Sequence, residues 1–217
     1  MAKLYFRYGT VGSAKTLNLL AVAHAYQQQN KKAFLIKPRI DTRFGADAIG
    51  SRAGLIRNAD LLVDEESIIP VAELAGCHCI LVDEVQFLSE SLIEQLRSIA
   101  NDLNIPVICY GLRTDFRGRL FLGSQRLMEL SDAIEEVKTT CSFCNRKAIF
   151  NLKLMDGQPT LDGPVIELGK EEKYIPTCPN CYDEALNRSR SATQAFSSLV
   201  SLEYSPNTNV SSPGNAR

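Results

Sequence analysis

The hydrophobic residues of the chain are arranged in two alternating patterns. Short apolar runs predict strands over residues 3–8, 32–36, 79–84 and 106–112. Hydrophobic residues at helical spacing predict helices over residues 17–29, 68–75 and 88–103. Strands and helices that alternate in this way predict an α/β domain, with a mostly parallel sheet and helices on both faces. Ligands of such domains bind beyond the carboxyl ends of the strands, so the candidate site is expected there.

The segment between the first predicted strand and the first predicted helix has the composition of a phosphate-binding loop. Backbone N–H groups at a helix start bind phosphate oxygens, and a Lys-Thr pair opens this helix. Lys15 is expected to reach the β- and γ-phosphates of a nucleotide, and Thr16 to bind Mg²⁺. The usual pattern has glycine where Ala14 stands, so a chance Ser-Ala-Lys-Thr at a helix start is the alternative. The candidate nucleotide-binding residues here are Gly9, Thr10, Val11, Gly12, Ser13, Ala14, Lys15 and Thr16.

Acidic and basic residues follow two of the predicted strands. Asp83 and Glu84 end an apolar run, and we expect Asp83 to hold Mg²⁺ and Glu84 to accept a proton from the attacking group. The alternative is a solvated turn that carries acids. Asp41 and Arg43 by themselves suggest a surface ion pair, but an arginine also suits the charge on a transferring phosphoryl group.

Two Cys-x-x-Cys pairs are the most specific signal in the chain. Four thiolates suit tetrahedral Zn²⁺ and leave no position for a catalytic water, so the predicted zinc is structural. A redox role would need only one pair. The predicted ligands are Cys141, Cys144, Cys178 and Cys181, whereas Cys77, Cys79 and Cys109 lie in or beside apolar runs and are predicted core residues.

Composition limits the classes of protein to consider. The 217 residues are 45% hydrophobic, enough for one α/β domain over residues 1–137 and a small zinc-binding lobe over residues 138–186. Residues 187–217 are rich in Ser, Asn and Thr and are predicted to be a disordered tail. A net charge of −1 argues against nucleic acid as a partner. The sequence has no apolar run of membrane-spanning length and no signal peptide, so a cytoplasmic location is expected.

Two further segments are interpreted as parts of the site. Residues 46–58 contain several glycines and little periodicity, which predicts a mobile loop near the site. Phe116 and Phe121 flank Arg117 and Arg119 in a stretch that helix packing does not require. Aromatic rings beside a phosphate site can stack on a nucleobase; core packing is the alternative.

These motifs, taken in order, resemble the type II thymidine kinases. The resemblance covers roughly residues 2–186 and includes the loop at 9–16, Asp-Thr-Arg at 41–43, Asp-Glu-Val-Gln-Phe at 83–87, residues 110–116 and both cysteine pairs. It implies transfer of the γ-phosphate of ATP to the 5′-hydroxyl of thymidine. It also implies a homotetramer, inhibition by the end product dTTP, and a lasso loop from the zinc lobe that closes over the base.

The resemblance also implies roles for individual residues. Glu84 corresponds to the general base. The loop at 9–16, together with Asp41, Arg43, Asp83, Glu84, Val85 and Gln86, corresponds to the nucleotide and Mg²⁺ site. The implied nucleoside-binding residues are Phe87, Phe116, Phe121, Val165, Ile166, Glu167, Leu168, Gly169 and Tyr174.

Three residues depart from the family pattern. Ala14 replaces the loop glycine, Val11 stands where many members have methionine, and Asn151 where many have threonine. Two other functions therefore stay open at this point. One is a recombinase-type ATPase stimulated by DNA, and the other is a nucleotide sensor without catalytic activity.

Overall fold

The computed structural model of the chain describes residues 1–166 and 173–189. In chain order its strands and helices are β1 (Leu4–Tyr8), α1 (Lys15–Gln28), β2 (Lys32–Pro38), β3 (Ala48–Gly50), β4 (Ile56–Asn58), β5 (Leu61–Val63), β6 (Cys77–Val82), α2 (Glu90–Asp102), β7 (Val107–Gly111), α3 (Leu122–Leu130), β8 (Ala133–Glu136), β9 (Phe150–Met155), β10 (Gln158–Pro159), β11 (Tyr174–Thr177) and α4 (179–189). Short 3₁₀ helices lie at Val71–Leu74 and Val85–Phe87.

A six-stranded parallel sheet with the order β5-β2-β6-β7-β1-β8 forms the centre of the main domain. Successive residues of a strand point to opposite faces, so Phe34 and Leu35 belong to two different hydrophobic clusters. Helix α1 packs on one face through Leu19 and Leu20, and α2 packs on the other through residues such as Leu96. The predicted α/β fold with helices on both faces is confirmed.

The helix predicted over residues 68–75 is wrong. Only the four residues Val71–Leu74 form a 3₁₀ turn. Pro70 lacks an N–H group and precedes this turn, which keeps a helix from beginning earlier. Ile69 and Leu74 are buried, but Ile68 and Val71 are 82% and 55% exposed, so the apolar residues of this segment do not share one buried helical face.

Residues 46–58, predicted to be a loop, contain regular structure. Strands β3 and β4 form an antiparallel hairpin, and β3 is buried against the main domain. The fully buried Lys37 holds it there, since its Nζ donates to the Ala48 carbonyl over 2.8 Å and lies 3.8 Å from Asp41 Oδ2. The absence of a repeating apolar pattern therefore reflects the shortness of the strands.

The cysteine-bearing lobe is a three-stranded antiparallel sheet, ordered β10-β9-β11, with α4 packed on it. Its small core contains Leu152, Tyr182 and Leu186. Residues 187–189, the first of the predicted tail, belong to α4, and the rest of that prediction lies outside the described residues. Among the helices described, none has the length and apolar character needed to cross a membrane.

Candidate functional site

A cavity of about 290 Å³ opens beyond the carboxyl ends of β1, β6 and β7, where the α/β fold predicts a ligand site. The phosphate loop and Glu84 lie on one side of it, and side chains from the cysteine-bearing lobe complete it. The predicted site residues that line it are Val11, Gly12, Ser13, Ala14, Lys15, Thr16, Arg43, Glu84, Gln86, Phe87, Phe116, Phe121, Val165, Ile166 and Tyr174.

The phosphate loop turns into α1 through a left-handed residue. Ala14 has φ 64° and ψ 26°, a conformation that costs an L-residue with a Cβ roughly 1–2 kcal/mol. Gly12 also has a positive φ, of 76°. The backbone at position 14 thus adopts the conformation that the missing glycine would favour, with strain added by the methyl group.

Lys15 is buried at the base of this loop. Its Nζ donates to the Thr10 carbonyl over 2.8 Å and lies 3.5 Å from Ser13 Oγ. Burial lowers the pKa of Lys15 to about 8, against the opposing effect of the Glu84 and Asp83 carboxylates. A buried ammonium with few partners binds an anion strongly, as expected for a phosphate-binding lysine.

Thr16 and Asp83 bring two oxygen donors together from α1 and the end of β6. Thr16 Oγ1 lies 3.2 and 3.1 Å from the two carboxylate oxygens of Asp83. Burial and the neighbouring charge of Glu84 raise the pKa of Asp83 above its usual value. A hydroxyl and a carboxylate side by side next to a phosphate loop fit Mg²⁺, which prefers such oxygen ligands.

Glu84 is held by two donors at the edge of the cavity. Arg43 Nη2 donates to its Oε1, and Gln86 Nε2 donates to its Oε2 over 2.5 Å. Gln86 is itself fixed, because its Oε1 accepts the Leu112 N–H over 2.9 Å. The backbone of Glu84 is left-handed, with φ 48°. Strained backbone of this kind is typical of functional positions, and here it directs the carboxylate into the cavity.

Arg43 links Glu84 to Asp41. Its Nε and Nη2 bind the two carboxylate oxygens of Asp41 over 2.7 and 3.1 Å. The side chains of Arg43 and Asp41 are only 16% and 6% exposed, so the alternative of a surface ion pair is wrong. Burial works to lower the pKa of Arg43, but the charges of Glu84 and Asp41 raise it above its usual value. Arg43 therefore stays a cation beside the candidate base.

Aromatic rings form the opposite end of the cavity. Phe87 and Phe121 meet edge to face with ring centroids 6.1 Å apart, and Phe116 lies 6.3 Å from Tyr174. Phe116 is buried and also lines the cavity, so it packs in the core and is placed where a nucleobase could contact it. Val165 and Ile166 complete this end. The predicted site residues Glu167, Leu168 and Gly169 lie outside the described residues.

A buried asparagine joins the lobe to the phosphate loop. Asn151 Oδ1 accepts the Val11 N–H over 2.8 Å, and its Nδ2 donates to the Thr114 carbonyl over 3.4 Å. Val11 and Asn151 are two of the three residues that depart from the family pattern. They contact each other, so the two departures form one structural feature.

The four predicted zinc ligands lie together. All their sulfur atoms are within 4.8 Å of one another, and the Cys144 sulfur lies 3.6 Å from that of Cys178 and 3.7 Å from that of Cys181. A tetrahedral zinc with Zn–S bonds of about 2.3 Å requires sulfur atoms about 3.8 Å apart, so this cluster fits Zn²⁺. Cys79 and Cys109 are buried in the core as predicted, whereas Cys77 is partly exposed.

Some predicted residues take part without lining the cavity. Asp41 accepts hydrogen bonds from Arg43, and Asp83 accepts one from Thr16. The Thr10 carbonyl accepts a hydrogen bond from Lys15. The Val85 side chain packs in the hydrophobic core, and Gly9 donates its N–H to the Gly111 carbonyl. A Cβ on Gly9 would approach the Val137 carbonyl oxygen to 2.5 Å, so the close packing here requires glycine.

Sequence reasoning did not identify one wall of the cavity. This wall contains Phe44 and the turn of the β3–β4 hairpin, and its residues are Phe44, Gly50, Ser51, Arg52 and Ala53. A Cβ on Gly50 would lie 2.4 Å from the Phe44 ring, so the glycine is needed for the ring to pack there. The sequence feature that could have identified this wall is Arg52, which lies between Gly50 and Gly54 in a segment predicted to lie near the site. Leu112, Thr114 and Asp115 were also missed.

Comparisons with known proteins agree with this geometry. Thymidine kinases from Lactiplantibacillus plantarum and Streptococcus gordonii are each 41% identical over 184 residues, which cover 84% of this chain and 96% of each relative. The thymidine kinase of Lactococcus lactis is 39% identical, covering 84% and 97%. A solved Pif1 structure from Bacteroides sp. aligns with 62% of this chain and 37% of its own, with 14% identity and a TM-score of 0.37, too low to support an argument. The family model for thymidine kinase matches residues 2–182, and the chain belongs to the thymidine kinase family and is a nucleoside kinase.

Proposed function

We propose that the chain transfers the γ-phosphate of ATP to the 5′-hydroxyl of thymidine, giving dTMP and ADP for nucleoside salvage. The observation that supports this proposal is the single cavity that joins a phosphate loop to an aromatic pocket, with Glu84 on its wall. The names of the relatives supply the choice of thymidine as the nucleoside.

Glu84 is the proposed general base. A carboxylate has about four acceptor positions, so the bonds from Arg43 and Gln86 orient Glu84 and leave room for one from the 5′-hydroxyl. As the 5′-oxygen bonds to the γ-phosphorus, the bond from that phosphorus to the bridging oxygen breaks. The hydroxyl proton passes to Glu84, and the electron pair of the broken bond remains on ADP.

The phosphate groups bind at the other side of Glu84. Lys15 exchanges its bond to the Thr10 carbonyl for the β- and γ-phosphate oxygens, and the start of α1 presents its N–H groups to them. Arg43 stabilises the charge that spreads over the transferring phosphoryl group. Thr16 and Asp83 would hold Mg²⁺, which when bound neutralises charge between the β- and γ-phosphates.

Thymidine binds at the aromatic end, beside Phe116 and Tyr174 and against Val165 and Ile166. Zn²⁺ at the four cysteines has a structural role, since it ties the turn at Cys141 to the start of α4 and so supports β11, the strand that begins at Tyr174. The ion stays in the lobe and takes no part in phosphoryl transfer.

Four further properties are part of the same proposal: the oligomeric state, inhibition by dTTP, the cellular location and the absence of a nucleic-acid partner. The resemblance to type II thymidine kinases supports a homotetramer and inhibition by dTTP, which size-exclusion chromatography and inhibition kinetics can test. Seven cysteines, four of them in a zinc-type cluster, suit the reducing environment of the cytoplasm. The near-zero net charge supports the absence of a nucleic-acid partner.

The test is an assay with labelled ATP and a panel of nucleosides, followed by identification of the nucleoside monophosphate. We expect dTMP as the main product and no stimulation of ATP hydrolysis by DNA. Binding of ATP without any monophosphate would favour the nucleotide-sensor alternative, to which the strained Ala14 gives some weight. ATP hydrolysis that requires DNA would favour the ATPase alternative.

A further inference from the structure

Two cations approach one aromatic ring at the nucleoside end of the cavity. The guanidinium carbon of Arg117 lies 4.9 Å from the centroid of the Phe116 ring, and Lys153 Nζ lies 4.6 Å from it. Arg117 comes from the loop after β7 and Lys153 from β9, so the α/β domain and the zinc lobe each supply one cation. A cation over an aromatic face is attractive, and more so where water is excluded.

The same two cations bind the segment that leads to the cavity. Arg117 donates to the carbonyls of Leu161 and Gly163 over 2.9 and 2.8 Å. Lys153 Nζ donates to the Pro164 carbonyl over 3.2 Å. Residues 161–164 are thus fixed by three hydrogen bonds immediately before Val165 and Ile166 enter the cavity wall.

The burial of Lys153 and the shape of residue 163 fit this arrangement. Lys153 is only 1% exposed, and a buried ammonium needs acceptors, which the Phe116 ring and the Pro164 carbonyl provide. Gly163 has φ 91°, and a Cβ there would lie 2.9 Å from Lys153 Nζ. Only glycine combines this backbone angle with such a close approach by the ammonium.

We propose that Arg117 and Lys153 are positioning residues for nucleoside binding. They hold the Phe116 ring against residues 161–164, so that Val165 and Ile166 face the cavity. Neither residue is among those that line the cavity, and each acts through the groups it binds. This inference rests on the proposed function, since it assigns the nucleoside to the aromatic end.

The experiment compares the Michaelis constants of the full chain and its variants for thymidine and for ATP. Arg117→Met and Lys153→Met should each raise the KM for thymidine roughly three- to tenfold. The rise is smaller than the full loss of a charged hydrogen bond, because each cation acts on the nucleoside only through the groups it binds. The KM for ATP should stay unchanged, because the phosphate loop lies at the other end of the cavity. Lys153→Arg should restore part of the thymidine affinity.

Arg119→Met is the matched control. Arg119 lies two residues from Arg117 in the same turn and is also exposed, and among the described residues its side chain makes no hydrogen bond or ion pair. The Arg119→Met variant should have the same Michaelis constants for thymidine and ATP as the wild type. The double variant Arg117→Met/Lys153→Met should lose less than the product of the single effects, since both cations act on one ring.

The outcomes separate this inference from the proposed function. A wild-type chain that does not phosphorylate thymidine overturns the proposed function and this inference with it. An active wild type whose Arg117→Met variant has an unchanged KM for thymidine overturns the inference alone, as does an equal rise in the KM for ATP. Arg117 is exposed, so its variant should fold even if Lys153→Met does not, and zinc content and melting temperature check both variants.

Discussion

The backbone N–H of Val11 donates a 2.8 Å hydrogen bond to Oδ1 of Asn151, which joins the phosphate loop to the first long strand of the zinc lobe. The two residues are 140 positions apart in the chain, and both line the cavity. The loop that binds ATP is therefore braced by the part of the protein that encloses the nucleoside.

Replacing Asn151 should weaken this brace. Asn151→Ala leaves the Val11 N–H without its acceptor, which costs roughly 1–3 kcal/mol in a buried site. We expect a lower melting temperature and several-fold higher Michaelis constants for both substrates. Asn151→Thr replaces the amide oxygen with a hydroxyl that can also accept the bond, and it serves as the matched control. Equal melting temperatures and equal Michaelis constants in the two variants would show that the hydrogen bond is unimportant.

Replacing Glu84 tests the general base. Glu84→Gln keeps the shape of the side chain but cannot accept the hydroxyl proton, so kcat should fall by ~10²–10⁴-fold. Direct measurement of ATP binding should show little change, because Lys15 and Thr16 remain in place. Turnover close to that of the wild type would reject the assignment.

Ala14→Gly should relieve strain in the phosphate loop. At φ 64° a glycine is favoured over alanine by roughly 1–2 kcal/mol, so the free energy of unfolding should rise and the KM for ATP should fall modestly. The control is Ala21→Gly, the same substitution at an exposed position inside α1. It should lower stability by about 1 kcal/mol. If both variants changed the free energy of unfolding in the same direction, the left-handed backbone at Ala14 would not be the cause.

Metal analysis tests the zinc site. We expect about one zinc per chain in the wild type and much less in Cys178→Ser. Because β11, with Tyr174, ends next to Cys178, the KM for thymidine should rise more than that for ATP in this variant. Cys77→Ser, which lies outside the cluster, should keep its zinc. Full activity in protein without metal would refute a structural role.

Thiol chemistry provides an independent test of the core. Burial raises the pKa of Cys79 to about 11 and raises that of Cys109 as well, so both remain protonated near neutral pH and out of reach of reagents. With zinc bound, a thiol reagent should therefore modify one cysteine per chain rapidly, the partly exposed Cys77. Cys77→Ser should abolish this rapid phase. Rapid modification of Cys79 and Cys109 as well would show that the core is accessible to the reagent.

The sequence predicted the site best where one residue type determines the chemistry. The loop at residues 9–16, the carboxylates Asp83 and Glu84 and the four cysteines were identified because phosphate, Mg²⁺ and zinc each require particular atoms. The strands β6 and β7 were predicted from continuous apolar runs, which are typical of strands buried on both faces of a parallel sheet.

The remaining features depend on contacts between distant segments. The hairpin at residues 48–58 is held by Lys37, and the bond between Val11 and Asn151 crosses the domain and the lobe. Periodicity cannot predict such contacts, because they leave no pattern within a short window. The helix predicted at residues 68–75 was wrong for another reason: its buried residues, Ile69 and Leu74, are not at the spacing that places them on one face of a helix, and Ile68 and Val71 are exposed.

Ala14 and Glu84 both have left-handed backbones, a conformation that neither residue type prefers. Both stretches are held by contacts to distant parts of the chain, since Arg43 binds the Glu84 carboxylate from 41 positions away and Asn151 binds the Val11 N–H of the phosphate loop from 140 positions away. A nascent chain that has formed β1 and α1 would therefore carry the phosphate-loop motif without its working shape. The ability to bind nucleotide and the ability to transfer phosphate should thus appear together, late in folding, when the parallel sheet closes.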